Sequence, residues 1–292
     1  AHGVHKPGVS VVVAGRRAPR WWFHRLGRTR RRLTVLAWRR TVRPNLPRVC
    51  PMNLLDLLAA HPAAAPALRV PGSPACLSYG ELRAQSLTMG ATLNTAGVGR
   101  GDRVALILPT GAALAAAFLG VAGVATACPL SPALRRNELM VAWRRLGVHA
   151  VVVSDDGPAE AADLARELGL PLFCVRAAST TTPAAWRLEP VAGNRGPCAD
   201  ACGPAQADDI ALVLSTSGTT AEPKRVPLTH ANLCASATHI RDRMQLTADD
   251  RSLSVVPLFH IHGLTAGLLA PLAAGSLVAC AAGFNPLYFF VW

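Results

Sequence analysis

The chain has 292 residues, of which 51% are hydrophobic, so it contains enough apolar material for one large domain or two smaller ones. Its formal net charge of +13 would by itself suggest nucleic acid or an anionic membrane as a partner. Residues 1–51, however, hold 13 of the 30 Lys and Arg residues and no acidic residue, so basic and acidic residues balance from residue 52 onward. The excess charge therefore belongs to this leader, and we expect no nucleic-acid partner for the body of the protein.

The basic leader, residues 1–51, shows no clean apolar period. It has three interpretations: an Arg-rich transit peptide free of acids, a basic arm that stacks nucleic acid on Trp21, Trp22 and Phe23, or sequence upstream of a start at Met52. The third is favoured, because MNLLDLLAAHPAAAPAL after Met52 reads like a natural beginning. We expect the leader to be disordered or not native, and residues 52–292 to form the folded body.

From residue 53 onward, helix and strand patterns alternate. Asn53 is expected to cap a short helix over 54–61, and Ser78 with Glu81 has the capping-box spacing for a helix that runs to about residue 96. The next predicted elements are strands over 103–108, 125–130, 150–154 and 171–175, helices over 112–122, 135–147 and 160–168, and a surface connection over 176–207. This alternation predicts an α/β fold with parallel-rich sheets flanked by helices.

Two stretches, 104–134 and 252–292, carry no charged residue, which raises a transmembrane helix as an alternative. Prolines break both stretches into pieces shorter than the roughly 20 residues that a bilayer requires. Buried parallel strands and core helices explain them better, and we expect no integral membrane segment.

The eight cysteines form no CxxC pair, and the Cys198 and Cys202 pair is followed by no histidines at zinc-ligand spacing. Most of the cysteines lie in apolar runs, which predicts free thiols and no metal site. Free thiols fit a reducing compartment. We expect the cytoplasm, with a peroxisome or another organelle as the alternative.

The stretch 210–232 is the densest group of anion-binding residue types. An apolar run at 210–214 predicts a short buried strand, and six small residues follow it: Ser215, Thr216, Ser217, Gly218, Thr219 and Thr220. Their donors suit a loop that wraps an anion, and Lys224 adds a point charge. A second strand over 225–228 and Thr229, placed to cap a helix, come next. This order favours a polyphosphate-binding loop over the alternative, a flexible Ser/Thr loop.

The sequence STSGTTAEPKRVPLTHAN, residues 215–232, resembles the signature of the AMP-forming adenylate superfamily. That superfamily includes acyl-CoA synthetases, nonribosomal peptide adenylation domains and luciferases, and its usual form is T-S-G-[ST]-T-G-x-P-K-G. Ala221 and Arg225 stand where glycines are usual. Ala221, together with VPLTH, is similar to the oxalate–CoA ligase branch, whereas Arg225 would be strained if its position required a positive φ.

Two further segments resemble acyl-CoA synthetases, namely LSYGELRAQSLTMGATLNTAGVGRGDRVALILPTG and CPLSPALRRNELMVAWRRLGVHAVVV. A third, VVPLFHIHGL at 255–264, is similar to the family's P-L-F-H-x-x-G segment. It follows a predicted strand over 252–256, and Gly263 is expected to let the next helix pack closely. The resemblance therefore extends from about residue 77 to residue 292.

The resemblance places His260 beside the acyl carboxylate and the ATP phosphates, where an imidazole orients the carboxylate or offsets its charge. The alternative for His260 and His262 is that they are hydrogen-bonded core histidines or metal ligands. Two histidines at i and i+2 with no Cys or acid nearby make a poor metal site.

The implied activity is that of an acid–thiol ligase, in which a carboxylate and Mg-ATP give acyl-AMP and pyrophosphate and a thiol, usually CoA, then takes the acyl group. The implied cofactors are ATP, Mg²⁺ and CoA, and the implied partner is a small-molecule carboxylate. Residues 52–292 would be a partial AMP-binding (adenylation) domain, the incomplete N-terminal portion of an adenylate-forming large domain. The implied catalytic residues are His260 and Lys224, and the implied ATP-binding residues are Thr216, Ser217, Gly218, Thr219, Thr220 and Lys224.

The family's later motifs are not found in the sequence: the Tyr-Gly-x-[ST]-Glu segment with its magnesium-binding Glu, the ribose-binding Asp, and the lysine of the mobile C-terminal domain. We therefore expect a truncated chain that is weak or inactive alone. The competing hypothesis is a non-catalytic protein, either a pseudoenzyme or a basic-armed binding protein.

Overall fold

The structure, a computed structural model, describes residues 13–14, 52–178, 185–193, 202–215 and 224–292. Its strands are β1 (Val13–Ala14), β2 (Pro66–Arg69), β3 (Cys76–Ser78), β4 (Arg103–Ile107), β5 (Thr126–Pro129), β6 (Ala150–Ser154), β7 (Leu172–Ala177), β8 (Trp186–Ala192), β9 (Ile210–Ser215), β10 (Arg225–Thr229), β11 (Arg251–Ser254) and β12 (Leu277–Cys280). Its helices are α1 (Leu54–Ala59), α2 (Tyr79–Thr95), α3 (Ala112–Ala122), α4 (Arg136–Leu146), α5 (Ala159–Glu167), α6 (His230–Met244), α7 (Ile261–Leu264) and α8 (Ala270–Ala273). A π-helical turn, Thr265–Leu269, joins α7 to α8.

The larger sheet has seven strands in the order β10-β9-β5-β4-β6-β7-β8. Its five inner strands are parallel, and α3, α4 and α5 connect successive strands from β4 to β7. The edge strands β10 and β8 run antiparallel to their neighbours. The prediction of an α/β fold with parallel-rich sheets and flanking helices is confirmed.

The smaller sheet has the order β1-β11-β12-β2-β3, in which β11, β12 and β2 are parallel. One cluster of buried side chains joins the two sheets, since Leu68 and Val278 of the smaller sheet share it with Val104 and Leu212 of the larger. A second buried cluster packs α4 and α5 on the other face of the larger sheet. Both faces of the larger sheet are therefore covered, which accounts for its near-continuous apolar strands.

Helix α3 explains one of the two uncharged stretches. All of its residues are buried except Ala113, and it has 11 residues, about half the length that a bilayer needs. In the part of the chain that the structure describes, no helix is long and apolar enough to cross a membrane.

The predicted helix starts are confirmed in atomic detail. The Asn53 side chain accepts hydrogen bonds from the amides of Leu55 and Asp56, and the Asp56 carboxylate accepts one from the amide of Asn53. Ser78 and Glu81 form the same reciprocal pair at the start of α2. Each box satisfies amides that the first helical turn leaves without partners.

The prediction of a surface connection over 176–207 is wrong in part, because β8 lies within it. Trp186, the first residue of β8, is buried, and its amide donates to Oε1 of Gln85 on α2 at 2.8 Å. The strand is stabilised by its antiparallel pairing with β7, the preceding strand, and by this contact with Gln85, which is 101 residues away in sequence. Its own sequence, WRLEPVA, contains two charges and a proline and therefore reads as a loop.

Candidate functional site

The predicted phosphate loop joins the ends of two paired strands. Ser215 ends β9 and Arg225 begins β10, and these two residues are directly opposite each other in the antiparallel ladder. The ends of the loop are thus held side by side at the carboxyl end of β9, the edge of a parallel sheet where ligands of α/β proteins bind. The loop itself, 216–223, lies outside the described residues, and with it the predicted ligands Thr216, Ser217, Gly218, Thr219 and Thr220.

Lys224, the other predicted ligand of this group, lies directly before β10 and is exposed. It is the one lysine in residues 52–292 of the sequence. Its position puts a positive charge where the loop returns to the sheet. An exposed ammonium group beside hydroxyl and backbone donors suits a polyphosphate ligand.

Arg225 adopts an extended conformation, so the position does not require glycine. Among the described non-glycine residues only Gln245 has a positive φ, of 55°. The Arg225 side chain reaches α4, where its Nη1 donates to the carbonyl oxygen of Arg145 at 2.6 Å. The strain expected for an arginine at this position is absent.

The strand β10 leads directly into α6 through the predicted cap. Thr229 Oγ1 accepts from the amide of Asn232 at 3.1 Å, and Asn232 Oδ1 accepts from the amide of Thr229 at 3.2 Å. His230, the first residue of α6, is fully buried, and its Nδ1 accepts from the amide of Leu54 at 3.2 Å. His230 was not among the predicted site residues; its only signal in the sequence is its place in the LTHAN segment.

Burial lowers the pKa of His230 to about 4, although the nearby carboxylates of Asp209 and Asp56 act in the opposite direction. The neutral ring therefore links the start of α6 to the start of α1. Because the amide of His230 also donates to the carbonyl of Asp209 at 3.1 Å, the same residue joins α6 to the segment that precedes β9. His230 thus stabilises the packing of α6 against α1 and against the segment before β9. Because it is buried, it is not a candidate ligand of the phosphates.

His260 lies in the turn after β11, as the residue that precedes α7. It is exposed, its ring packs against Phe259 with centroids 4.7 Å apart, and its amide donates to the carbonyl of Pro257 at 3.1 Å. His262 is also exposed, so the alternative that either histidine is a buried core residue is wrong. Across the described ranges, no group of three or more His, Cys, Asp or Glu residues could hold a metal ion.

Two glycines let the segment after β11 pack tightly. A Cβ on Gly263 would lie 2.4 Å from the carbonyl oxygen of Pro257, and one on Gly267 would lie 2.8 Å from Oγ of Ser254. The expected close approach at Gly263 is confirmed. The π-helical turn around Gly267 was not predicted; turns of this kind are frequent at functional sites.

The buried thiols are poor candidates for a reactive site. Burial raises the pKa of Cys128, Cys234 and Cys280 to about 12, and chiefly burial raises that of Cys174 to about 11. Cys76, Cys128, Cys174, Cys234 and Cys280 are free thiols, as predicted. A thiol with so high a pKa is a poor nucleophile at neutral pH.

Comparison with known proteins defines the class. A protein-family model described as "AMP-binding enzyme" matches residues 56–292, and the chain therefore belongs to this family. The resemblance of this sequence to the AMP-forming adenylate superfamily, first seen in residues 215–232, is confirmed.

The curated relatives are CoA ligases. The chain is 32% identical to the sulfoacetate–CoA ligase of Cupriavidus necator over 80% of its own length and 45% of the relative's. It is 35% identical to the oxalate–CoA ligase of Arabidopsis thaliana over 64% of its own length and 36% of the relative's. The chain thus spans less than half the length of the curated relatives that it matches.

Solved structures show the same fold. The ATP-bound crystal structure of MatB from Rhodopseudomonas palustris matches with a TM-score of 0.68 and 24% identity, covering 82% of this chain and 47% of that one. The apo structure of MbtA from Mycobacterium smegmatis matches with a TM-score of 0.65 and 25% identity, covering 83% of this chain and 46% of that one. The arrangement of strands and helices is therefore that of adenylate-forming enzymes.

Proposed function

We propose that this chain is the ATP-phosphate-binding part of an AMP-forming acid–thiol ligase. The family match supports the AMP-forming class, and the relatives' names, which include ligases of sulfoacetate, oxalate and 4-coumarate, support a small-molecule carboxylate and CoA as the substrates. The observation that carries the proposal is the pairing of Ser215 with Arg225, because it holds both ends of the hydroxyl-rich loop, with Lys224, at the carboxyl end of β9.

The loop would bind the β- and γ-phosphates. Thr216, Ser217, Gly218, Thr219 and Thr220 would supply hydroxyl and backbone donors, and Lys224 would supply a positive charge. In the adenylation step a carboxylate oxygen forms a bond to the α-phosphorus, and the bond from that phosphorus to the pyrophosphate oxygen breaks. Donors fixed around the departing pyrophosphate stabilise the charge that develops on it.

His260 would lie beside the carboxylate. It is exposed in a turn that the close contact between Gly263 and Pro257 holds in place. A neutral or protonated imidazole there orients the carboxylate or offsets its charge.

The residues fit ATP better than they fit a protein-held metal ion. The exposed Lys224 and the hydroxyl-rich sequence suit phosphate oxygens, whereas the described residues hold no cluster of metal ligands. Mg²⁺ would therefore enter with the phosphates of ATP, where it neutralises their charge. CoA, as the thiol acceptor, belongs to the second step of the proposed reaction.

The test is carboxylate-dependent exchange of labelled pyrophosphate into ATP, with acids from oxalate to medium-chain fatty acids. We expect slow exchange of pyrophosphate, because the family's magnesium-binding Glu, ribose-binding Asp and C-terminal lysine are not found in this sequence. The loss of each such positioned group typically costs about 10²–10³-fold in rate. Lys224→Ala and His260→Ala should abolish that exchange, whereas Arg243→Ala, an exposed change on α6, should not. Exchange unaffected by Lys224→Ala would contradict the proposal, as would a chain that neither exchanges pyrophosphate nor binds ATP.

A further inference from the structure

Each of the last four carbonyl groups of α4 accepts a hydrogen bond from outside the helix. An α-helix leaves its last four carbonyl groups without intrahelical partners. In α4, the carbonyls of Trp143 and Arg144 accept from the amides of Val148 at 3.1 Å and Gly147 at 3.2 Å. Gly147 has a φ of 64°, so this is the common glycine-terminated helix end, which satisfies two of the four carbonyls.

The other two carbonyls accept from arginine side chains that come from two strands. Nη1 of Arg103, at the start of β4, donates to the carbonyl oxygen of Leu146 at 2.6 Å. Nη1 of Arg225, at the start of β10, donates to the carbonyl oxygen of Arg145 at 2.6 Å. Guanidinium groups at this end of a helix also interact favourably with the helix dipole.

The position of Arg225 in the chain gives its contact a second consequence. Arg225 directly follows Lys224, and it stands where the family signature has a glycine. Its backbone is held on one side by the ladder with Ser215, and its side chain is held by α4. Because β10 is an edge strand, paired only with β9 in the sheet, a contact from its first residue to a helix adds a constraint that a glycine cannot provide.

We propose that Arg225 is a positioning residue, which fixes the exit of the phosphate loop by binding the C-terminal end of α4. The inference rests on the proposed function in that the loop is taken to bind phosphate. Arg225 acts through the backbone of Lys224 and makes no contact with the phosphates. Loss of the Arg225 side chain therefore weakens phosphate binding because the backbone of Lys224 becomes less constrained. The positive charge of Lys224 itself is unchanged.

The first measurement is hydrogen exchange of the backbone amides of residues 224–226, 228 and 229 in the full chain without ligand; Pro227 has no amide hydrogen. Arg225→Ala should accelerate exchange by about 2- to 10-fold, the range expected from one lost hydrogen bond. Arg225→Lys should restore part of the protection, because a lysine also donates to helix carbonyls. Lys224→Ala and the control Arg243→Ala should leave exchange in β10 unchanged.

The second measurement is the affinity for inorganic pyrophosphate as a function of salt concentration. Lys224→Ala should weaken binding and flatten its salt dependence, because a charge that meets the ligand is lost. Arg225→Ala should weaken binding by about 2- to 10-fold and leave the salt dependence as in the wild type. The salt dependence therefore distinguishes a positioning residue from a direct phosphate ligand, and the faster hydrogen exchange in β10 localises the effect to the strand that Arg225 anchors.

Three results would overturn the inference: unchanged exchange in Arg225→Ala, unchanged affinity in Arg225→Ala, or a flattening of the salt dependence equal to that of Lys224→Ala. The last would make Arg225 a direct phosphate ligand. A wild-type chain that binds no pyrophosphate would contradict the proposed function. The hydrogen-exchange measurement alone would then decide whether Arg225 anchors β10 to α4.

Discussion

Gly263 and Pro257 approach each other so closely that the turn between them accommodates no side chain on Gly263. A Cβ there would lie 2.4 Å from the carbonyl oxygen of Pro257 and 3.0 Å from that of Val256. Both neighbours are backbone atoms, which cannot rotate away as the end of a side chain can. The turn that carries His260 therefore depends on this glycine.

We predict that Gly263→Ala lowers the free energy of unfolding by about 3 kcal/mol, at the upper end of the usual cost of overpacking. The measurement is urea unfolding monitored by circular dichroism. The matched control is Gly101→Ala, where φ is +88° but the space is open, so that only the backbone strain of about 1 kcal/mol is expected. Equal losses in the two variants would mean that the contact with Pro257 is unimportant.

His230 should make the stability of the chain depend on pH. Its pKa is lowered to about 4 in the folded protein and has its ordinary value of 6.5 when unfolded. Between these values the unfolded chain binds the proton more strongly, so the free energy of unfolding falls as the pH drops from 6.5 to 4. The loss amounts to roughly 3 kcal/mol. It levels off below pH 4, where both states are protonated.

The check is the pH profile of urea unfolding in wild type and in His230→Gln. The glutamine side chain retains an acceptor for the amide of Leu54 but does not titrate, so this part of the slope should disappear. His239→Gln, an exposed change on the same helix, should keep the wild-type slope. An identical slope in His230→Gln and wild type would refute the assignment.

We predict that residues 1–51 are dispensable for folding. They hold the excess positive charge, and in the described part of this leader only Val13 and Ala14 pair with the body, opposite Ser252 and Arg251. A chain that starts at Met52 should keep its melting temperature to within the 2–4 °C that about 1 kcal/mol corresponds to.

A larger drop in melting temperature would mean that the leader contributes to the fold. The same two proteins test the basic-arm hypothesis. Salt-sensitive binding to nucleic acid that disappears on removal of residues 1–51 would support it.

The sequence predicted those elements whose signals are local. The capping residues Asn53, Ser78 and Thr229 lie next to the helices that they start, and their partners are three residues away, so the pattern is visible in a short window. The alternating strands and helices from β4 to β7 were predicted for a similar reason: each apolar run is bounded by turn residues.

Elements that depend on distant partners were not predicted. The short strands β2 and β12 pair with each other through Leu68 and Val278, which are far apart in sequence, and their own patterns are weak. The links made by His230 and Arg225 are also non-local: one reaches Leu54 and the other the carbonyl of Arg145. A motif identifies such residues as members of a signature, but their contacts follow only from the packed fold.

The most direct test of the central claim is calorimetric titration of the whole chain with Mg-ATP, in wild type, Lys224→Ala, Thr219→Ala and the control Arg243→Ala. If the loop from β9 to β10 binds the phosphates, the wild type and the control should bind ATP with the same affinity. Each loop variant should then bind more weakly by about 1–3 kcal/mol, the usual range for a lost hydrogen bond to a charged group. Equal affinity in all four proteins, or no binding by the wild type, would contradict the account.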